Sequence, residues 1–396
     1  GGRFGLFSKD FCFLSMVNKS IALLGATGSI GMSTLAVVEE QKIPVVFATA
    51  HKNYNSLLHS AYRYHIPLLF FTGIEDKALQ TKLKNENPDI RIYFGEAELL
   101  TAIASENYDI ALNAIAGSGG LRYSFAVLKN NKLLALANKE SLIMGGHILT
   151  KMLSDKPILP VDSELSALFQ AMGKHPAEEI RFLHLTASGG IFRNLPLEDF
   201  NKITPQQALI NPNWTMGAKV TLDSATMFNK ALEVMETHWL FKQPYSKIKA
   251  VIHPQSIVHS LVEFIDGSFL AQISKPDMKL PILYALSWPQ RVHSQLVETD
   301  LISLPPLTFQ EIDPKRYPLF YLGLEVANAG GIYPTVINSA VEAASFLFLQ
   351  NKIPYLKMFD LVKKALDEQE PVSDPDLETI LQINAQTCQK VLQYVI

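Results

Sequence analysis

At 396 residues the chain can hold two or three domains and bury sizeable cores. Its 48% hydrophobic and 18% charged residues and formal net charge of -3 are ordinary for a globular protein, and they exclude the positive field that nucleic acid or an anionic membrane requires. Cys12 and Cys388 are too few and too far apart for a disulfide framework or thiolate cluster, so a reducing, bacterial-type cytoplasm is expected, and no apolar run is long enough to span a bilayer.

Residues 1–16 carry an apolar patch, FCFLSM, without a small-residue cleavage site, and read as a leader, alternative start or remnant outside the fold. Beyond them, short apolar runs alternate with helical stretches. IALLG (21–25), PVVFATA (44–50), IPLLFFTG (66–73), RIYFG (91–95), YDIALNAI (108–115), KLLALAN (132–138) and PILPVD (157–162) are the expected strands. Residues 97–105 and 121–130 have helical spacing, and the whole pattern is that of a doubly wound α/β sheet.

The first strand runs into Gly25-Ala26-Thr27-Gly28-Ser29-Ile30-Gly31 and then a helix. This G-x-x-G-x-x-G variant of the dinucleotide fingerprint lets backbone approach a pyrophosphate at a helix N-terminus, although a tight turn alone would also use glycine. The second strand ends in Ala50-His51-Lys52-Asn53, with no Asp or Glu for the ribose 2′-hydroxyl of NAD. A cation and an amide there favour the additional phosphate of NADP, unless the turn is simply basic and solvated.

Later strand ends carry Asn138-Lys139-Glu140 and Asp162-Ser163-Glu164, at the edge where open α/β sheets bind ligands. Asp162 and Glu164 could equally cap the helix expected over 165–172. From 180 the character changes: IRFLHLTAS ends in Ser188-Gly189-Gly190, and about twenty polar, proline-punctuated residues lead to Trp214, a length that suggests a mobile lid.

The stretch 211–241 contains Trp214, Met216 and Gly217, a turn with Thr221, Asp223, Ser224 and Thr226, and a helix placing Asn229 and Glu233 on one face beside Lys230. A hydroxyl, an amide, an amine and a carboxylate at a helix entrance suit a phosphorylated ligand with a metal nearby, though a capped surface helix would share the pattern. With Glu233, the pair Asp162 and Glu164 forms an oxygen-only set for a hard ion such as Mg²⁺ or Mn²⁺.

KIKAVIH (247–253), IVHSLVEFI (257–265) and SFLAQIS (268–274) are further strands, and Asp266-Gly267 is a hairpin signal, so a second sheet is at least partly antiparallel. His253 and His259 read as packing and hydrogen-bonding residues before metal ligands. Five prolines mark 288–318 as an extended linker, and 319–329, 335–349, 356–368 and 376–394 as a small helical bundle. An acyl-enzyme semialdehyde dehydrogenase needs a catalytic cysteine, which neither Cys12 nor Cys388 is placed to supply.

GATGSIG, LANKESL, PVDSE, LTASGG, NPNWTMGAKVTLDSATMFNKALEVME and IHPQSIVHS carry a resemblance from residue 17 onward to the 1-deoxy-D-xylulose 5-phosphate reductoisomerases. The resemblance implies NADPH- and divalent-metal-dependent (Mg²⁺, Mn²⁺ or Co²⁺) conversion of that phosphorylated sugar to 2-C-methyl-D-erythritol 4-phosphate by a cytoplasmic homodimer. It implies an NADPH-binding Rossmann-like domain over 17–163, an α+β catalytic domain over 164–287 with a flap at about 189–217, a linker over 288–318 and a helical domain over 319–396.

By the same resemblance Thr27, Gly28, Ser29 and Ile30 would hold the cofactor pyrophosphate and Lys52 and Asn53 its 2′-phosphate, with Asn138, Glu140 and Gly217 as further contacts. Asp162, Glu164 and Glu233 would ligate the metal. Lys139, Ser163 and Glu164 would orient the substrate, and Lys139 would stabilise charge or move a proton. Ser188, Ser224, Asn229 and Lys230 would grip the phosphate, beside Asn211 and under Trp214. Three positions depart from the family pattern: Asn211 and Leu165 each stand where a His is usual, and His51 where a Gly is usual.

Overall fold

The computed structural model describes residues 17–153, 155–210 and 217–395. Strands β1 (Ile21–Leu24), β2 (Val45–Ala50), β3 (Leu68–Phe71), β4 (Arg91–Phe94), β5 (Ile110–Asn113), β6 (Leu133–Leu136) and β7 (Leu159–Pro160) fall within the seven expected runs. Between them lie α1 (Ser29–Gln41), α2 (Tyr54–Tyr64), α3 (Lys77–Glu86), α4 (Glu96–Ser105), α5 (Gly120–Lys129) and α6 (Lys139–Leu149). The strands are all parallel, in the order β4-β3-β2-β1-β5-β6-β7. Their continuous apolar runs are buried because crossover helices cover both faces.

The strand order reverses between β1 and β5, which opens a crevice at their carboxyl ends. The glycine turn closes there. Gly25 has φ +84, and a Cβ on it would lie 2.8 Å from the backbone of Ala114 after β5; a Cβ on Gly31 would lie 2.4 Å from Gly25 O. Gly28, in contrast, would put a Cβ no nearer than 3.9 Å to anything in the chain. Two glycines are thus demanded by packing and the third is not.

The second sheet consists of β8 (Ile180–Ala187), β9 (Ile248–Ile252), β10 (Val258–Phe264) and β11 (Phe269–Ile273), in the order β11-β10-β8-β9. β8 and β9 are parallel, while β10 is antiparallel to both β8 and β11 through the expected hairpin. Associated with it are α7 (Ser163–Met172), α8 (Pro205–Ala208), α9 (Ala218–Ala225) and α10 (Phe228–Phe241), while α11 (Lys279–Ser287) packs on the first sheet's side. Helices α12 (Pro318–Ala329), α13 (Tyr333–Leu349), α14 (Lys357–Asp367) and α15 (Leu377–Gln393) follow the expected bundle segments.

One helix had no sequence signal and one segment differs from expectation. α11 packs its Ile282, Leu283 and Leu286 into the core shared by Leu35 and Val38 of α1; it is short and apolar nearly all round, so it shows no amphipathic period. The stretch expected to be a long loop after Gly190 is instead anchored over residues 191–208. Phe192 and Phe200 are buried against Tyr355, Tyr317 Oη donates to Gly189 O at 2.7 Å, and Arg316 donates to Phe192 O at 2.9 Å. Two aromatic side chains within a polar sequence are enough to draw it into the core. The linker also runs along β9, where Gln310 forms a two-way backbone bridge with Ile252.

α10 lies where the layers meet. Phe228, Ala231 and Met235 enter the core of the C-terminal helices, Val234 enters the second sheet's core, and Trp239 and Leu240 lean on the core of the first sheet. α12 crosses it closely: a Cβ on Gly323 would lie 2.5 Å from Ala231 Cβ. Among the described residues no helix is long and apolar enough to cross a membrane.

The glycine turn yields a contrast. Gly31→Ala must displace α1 from β1 and should destabilise by about 1–3 kcal/mol, read as a lowered thermal midpoint, whereas Gly28→Ala should leave the midpoint unchanged.

Candidate active site

A cavity of about 220 Å³ opens where the crevice of the first sheet faces α10 and the end of β8. Its floor is built by three helix entrances. Asn138 caps α6: its Oδ1 accepts from Ser141 N at 3.0 Å, and its amide donates to Ile115 O and Gly117 O at 2.7 and 2.8 Å, fixing the backbone from which Lys139 departs. Asp162 caps α7, accepting from Glu164 N and Leu165 N at 3.0 and 3.2 Å through Oδ1. Capping and ligand binding, posed as alternatives by the sequence, are compatible because Oδ2 stays turned toward the cavity side, where Lys139 meets it. α10 enters after Met227 in a left-handed conformation, φ 61, and presents Asn229, Lys230 and Glu233.

One oxygen from each of Asp162, Glu164 and Glu233 lies within 4.8 Å of the others. Lys139 Nζ meets Asp162 Oδ2, with Glu233 Oε1 at 3.3 Å and Glu236 Oε2 at 3.5 Å. Lys230 Nζ meets Glu233 Oε2 and lies 3.6 Å from Glu164 Oε1. Asn229 donates to Glu233 Oε1 at 2.6 Å and Ser163 to Glu164 Oε2 at 2.7 Å. Four carboxyl groups and two ammonium groups thus share one buried volume.

Burial raises Glu233 to about 7, reinforced by neighbouring Asp162, and Glu236 to about 8. Burial also raises Glu164. At Asp162 burial is outweighed by the ammonium groups of Lys139 and Lys230, which hold its carboxyl below the usual range. Burial pulls Lys139 down, but its three carboxylate partners dominate and keep it charged well above neutrality. Three convergent carboxyl oxygens are a donor set of the kind that could hold a divalent cation.

On the remaining walls, Ser188 and Thr186 come from β8 and its end, Ser224 and Val220 from α9, and Ser29 and Ile30 from the first turn of α1. α1 has no side-chain cap and no acidic residue in its first turn, so its N-terminal N–H groups are open to an anion. His253 also lines the cavity, yet its roles are structural. Its Nε2 accepts from Ile257 N and Val258 N at 3.2 and 3.1 Å, so Nδ1 carries the proton and donates to Thr308 O at 2.9 Å. The ring stacks on Phe309 at 4.8 Å, and His259 Nε2 bonds the carbonyl of Ser274 at 2.9 Å.

The family model for 1-deoxy-D-xylulose 5-phosphate reductoisomerase matches residues 21–146, and models for its C-terminal domains match 158–241 and 273–390. A 1-deoxy-D-xylulose 5-phosphate reductoisomerase of Chlorobium chlorochromatii is 41% identical over 92% of this chain and 97% of its own length; one from Gloeobacter violaceus is 43% identical over 91% and 94%. The chain belongs to the 1-deoxy-D-xylulose 5-phosphate reductoisomerase family. Among solved reductoisomerases, the Zymomonas mobilis protein in complex with NADPH superposes with a TM-score of 0.87 at 35% identity, covering 95% of this chain and 99% of that one. A reductoisomerase in complex with NADPH, fosmidomycin and magnesium superposes at 0.89 and 34%, covering 95% and 98%.

Twelve of the residues singled out from sequence line the cavity: Ser29, Ile30, Lys139, Asp162, Ser163, Glu164, Ser188, Gly217, Ser224, Asn229, Lys230 and Glu233. Thr27 and Gly28 belong to the adjoining turn. Lys52 and Asn53 lie exposed beyond β2, where Asn53 caps α2 by accepting from Ser56 N at 3.2 Å, and His51 bonds Thr72 Oγ1 at 3.1 Å with its ring over Gly73. Asn138 and Glu140 turn inward and bond each other at 3.0 Å, so they shape the floor rather than line the cavity. Leu165 is buried in α7. Asn211 and Trp214 lie outside the described residues. Sequence reasoning missed Glu236, although its position three residues after Glu233 places it on the same helical face.

Burial holds His253 below its ordinary 6.5, so the unfolded chain takes up that proton first as pH falls. Its stabilising contribution is whole above about pH 6.5 and is lost on acidification. The thermal midpoint should drop between about pH 7.5 and 5.5, with a shallower drop in His253→Gln.

Proposed function

We propose that the protein converts 1-deoxy-D-xylulose 5-phosphate to 2-C-methyl-D-erythritol 4-phosphate with NADPH as reductant and a divalent metal ion. The observation that carries this reading is the oxygen set of Asp162, Glu164 and Glu233 facing the glycine turn across one cavity. The residues fit both groups. The three carboxylates are hard oxygen donors for Mg²⁺, Mn²⁺ or Co²⁺. The turn has an uncapped helix N-terminus and, at Gly28, open space that packing does not require. When bound, the ion supplies Lewis-acid polarisation of the substrate ketone and NADPH supplies hydride.

In this reading Thr27, Gly28, Ser29 and Ile30 receive the pyrophosphate, and Lys52 with Asn53 the 2′-phosphate. Ser188 and Ser224 offer hydroxyls, Asn229 an amide and Lys230 an ammonium to the substrate phosphate, a mixed donor set suited to an oxyanion. Ser163 and Glu164 orient the sugar hydroxyls. Lys139, charged and buried, stabilises developing negative charge at the carbonyl oxygen or delivers a proton there. Gly217, in the cavity wall, helps exclude water during bond cleavage and reduction.

A cytoplasmic homodimer belongs to the same proposal. Among the described residues β11 is an edge strand whose Phe269, Leu270 and Ile273 are 52%, 46% and 42% exposed, with Ile265 beside it at 67%, a surface that favours pairing with a second copy.

The test is loss of NADPH absorbance on adding the sugar phosphate with Mn²⁺ or Mg²⁺. Turnover should require the ion, stop with chelator, and fall at least about a hundredfold in Glu233→Gln while NADPH binding persists. Ion-independent turnover, or normal activity in that variant, would remove the metal assignment. Sedimentation should give a two-chain mass that drops to one chain in Leu270→Lys.

A further inference from the structure

Lys139 is shared between two kinds of carboxylate. Asp162 and Glu233 belong to the oxygen triad; Glu236, with its Oε2 3.5 Å from Nζ, does not. The Glu236 side chain is 5% exposed, and Lys139 is its ion-pair partner among the described residues. We infer that Glu236 is a positioning residue that holds the Lys139 ammonium beside the triad once the oxygens of Asp162 and Glu233 are committed to a divalent cation. This rests on the proposal that the triad takes such an ion.

The argument is one of competing charges. The ammonium and a cation would draw on the same oxygens, and their mutual repulsion in a poorly solvated volume is strong. Lys139 cannot retreat along its backbone, because Asn138 ties the helix entrance to the carbonyls of Ile115 and Gly117. Without an acceptor outside the triad, the ammonium would either contest the oxygens or be left bare in the interior, and both oppose cation binding. Glu236 supplies a third arrangement. It lies within reach of Nζ already, so a small rotation of the lysine suffices.

The two lysines are therefore not equivalent. Both ion-pair partners of Lys230, Glu164 and Glu233, lie inside the triad. A cation held there frees Lys230 for an anionic group of the substrate, whereas Lys139 stays tethered and aimed at the reacting end. If Glu236 merely balanced charge in the core, its loss would lower stability with no link to Lys139.

The test is a double-mutant cycle on the full chain, reading Mn²⁺ affinity by isothermal titration and by the electron spin resonance of free Mn²⁺. The proteins are wild type, Glu236→Gln, Lys139→Met and the double variant, with Glu233→Gln reporting which site is filled. Glu236→Gln should weaken Mn²⁺ roughly tenfold when Lys139 is present and less than about twofold when it is Met. Unchanged affinity in Glu236→Gln, or an equal loss in both backgrounds, overturns the positioning role. Absence of Glu233-dependent Mn²⁺ binding in wild type overturns the metal reading itself and the inference with it. Should Glu236→Gln fail to fold, Glu236→Asp withdraws the carboxylate by one methylene and is expected to give the same coupling.

Discussion

Four acidic side chains crowded into one buried volume are the constraint that the rest of the structure serves. Asp162, Glu164, Glu233 and Glu236 repel one another, and two lysines offset only part of that repulsion. Such a group persists only if the backbone beneath it cannot relax. The fold meets this by taking the charges from the first turns of α6 and α7 and from the buried face of α10, with Asn138 and Asp162 serving as caps as well as floor. A side chain that caps its own helix has little freedom to swing away.

The site lies at a topological seam for a related reason. Where β1 and β5 part, the uncapped N-terminus of α1 faces a crevice, and because the sheet is parallel the carboxyl ends of β6 and β7 lie on the same edge. The second sheet then closes the crevice through Ser188 and Thr186. Hydride donor and polarising ion must work on one substrate molecule, and a seam between a nucleotide fold and an α+β unit is where elements of both can reach it.

Much of this was legible before any coordinates. The seven strands, the strand-turn-helix glycine motif and the Asp-Gly hairpin rest on local patterns, which short-range sterics enforce. The convergence of Asp162, Glu164 and Glu233 was legible as chemistry, because hard oxygen donors at strand and helix ends belong to one kind of ligand. What could not be read was tertiary. The structural part of Asn138 has no local signal: its amide donates to the carbonyls of Ile115 and Gly117, a pairing that exists only once β5 and β6 are side by side. Phe192 and Phe200 hid inside a polar stretch because burial depends on Tyr355, more than 150 residues later. α11 has too little amphipathic contrast to announce itself. Glu236 passed unnoticed since an acidic residue on a helix usually faces water, and nothing local marks this face as interior.

The close crossing of α10 and α12 carries one last implication. Gly323 against Ala231 leaves no slack between the helix that bears Lys230 and Glu233 and the layer behind it. On the proposed metal reading, ion affinity and the integrity of the C-terminal bundle are then linked, because opening of α12 would loosen the charged face of α10. Inheritable changes far from the cavity, in a region with no chemistry of its own, would accordingly surface as altered cation requirement rather than as misfolding.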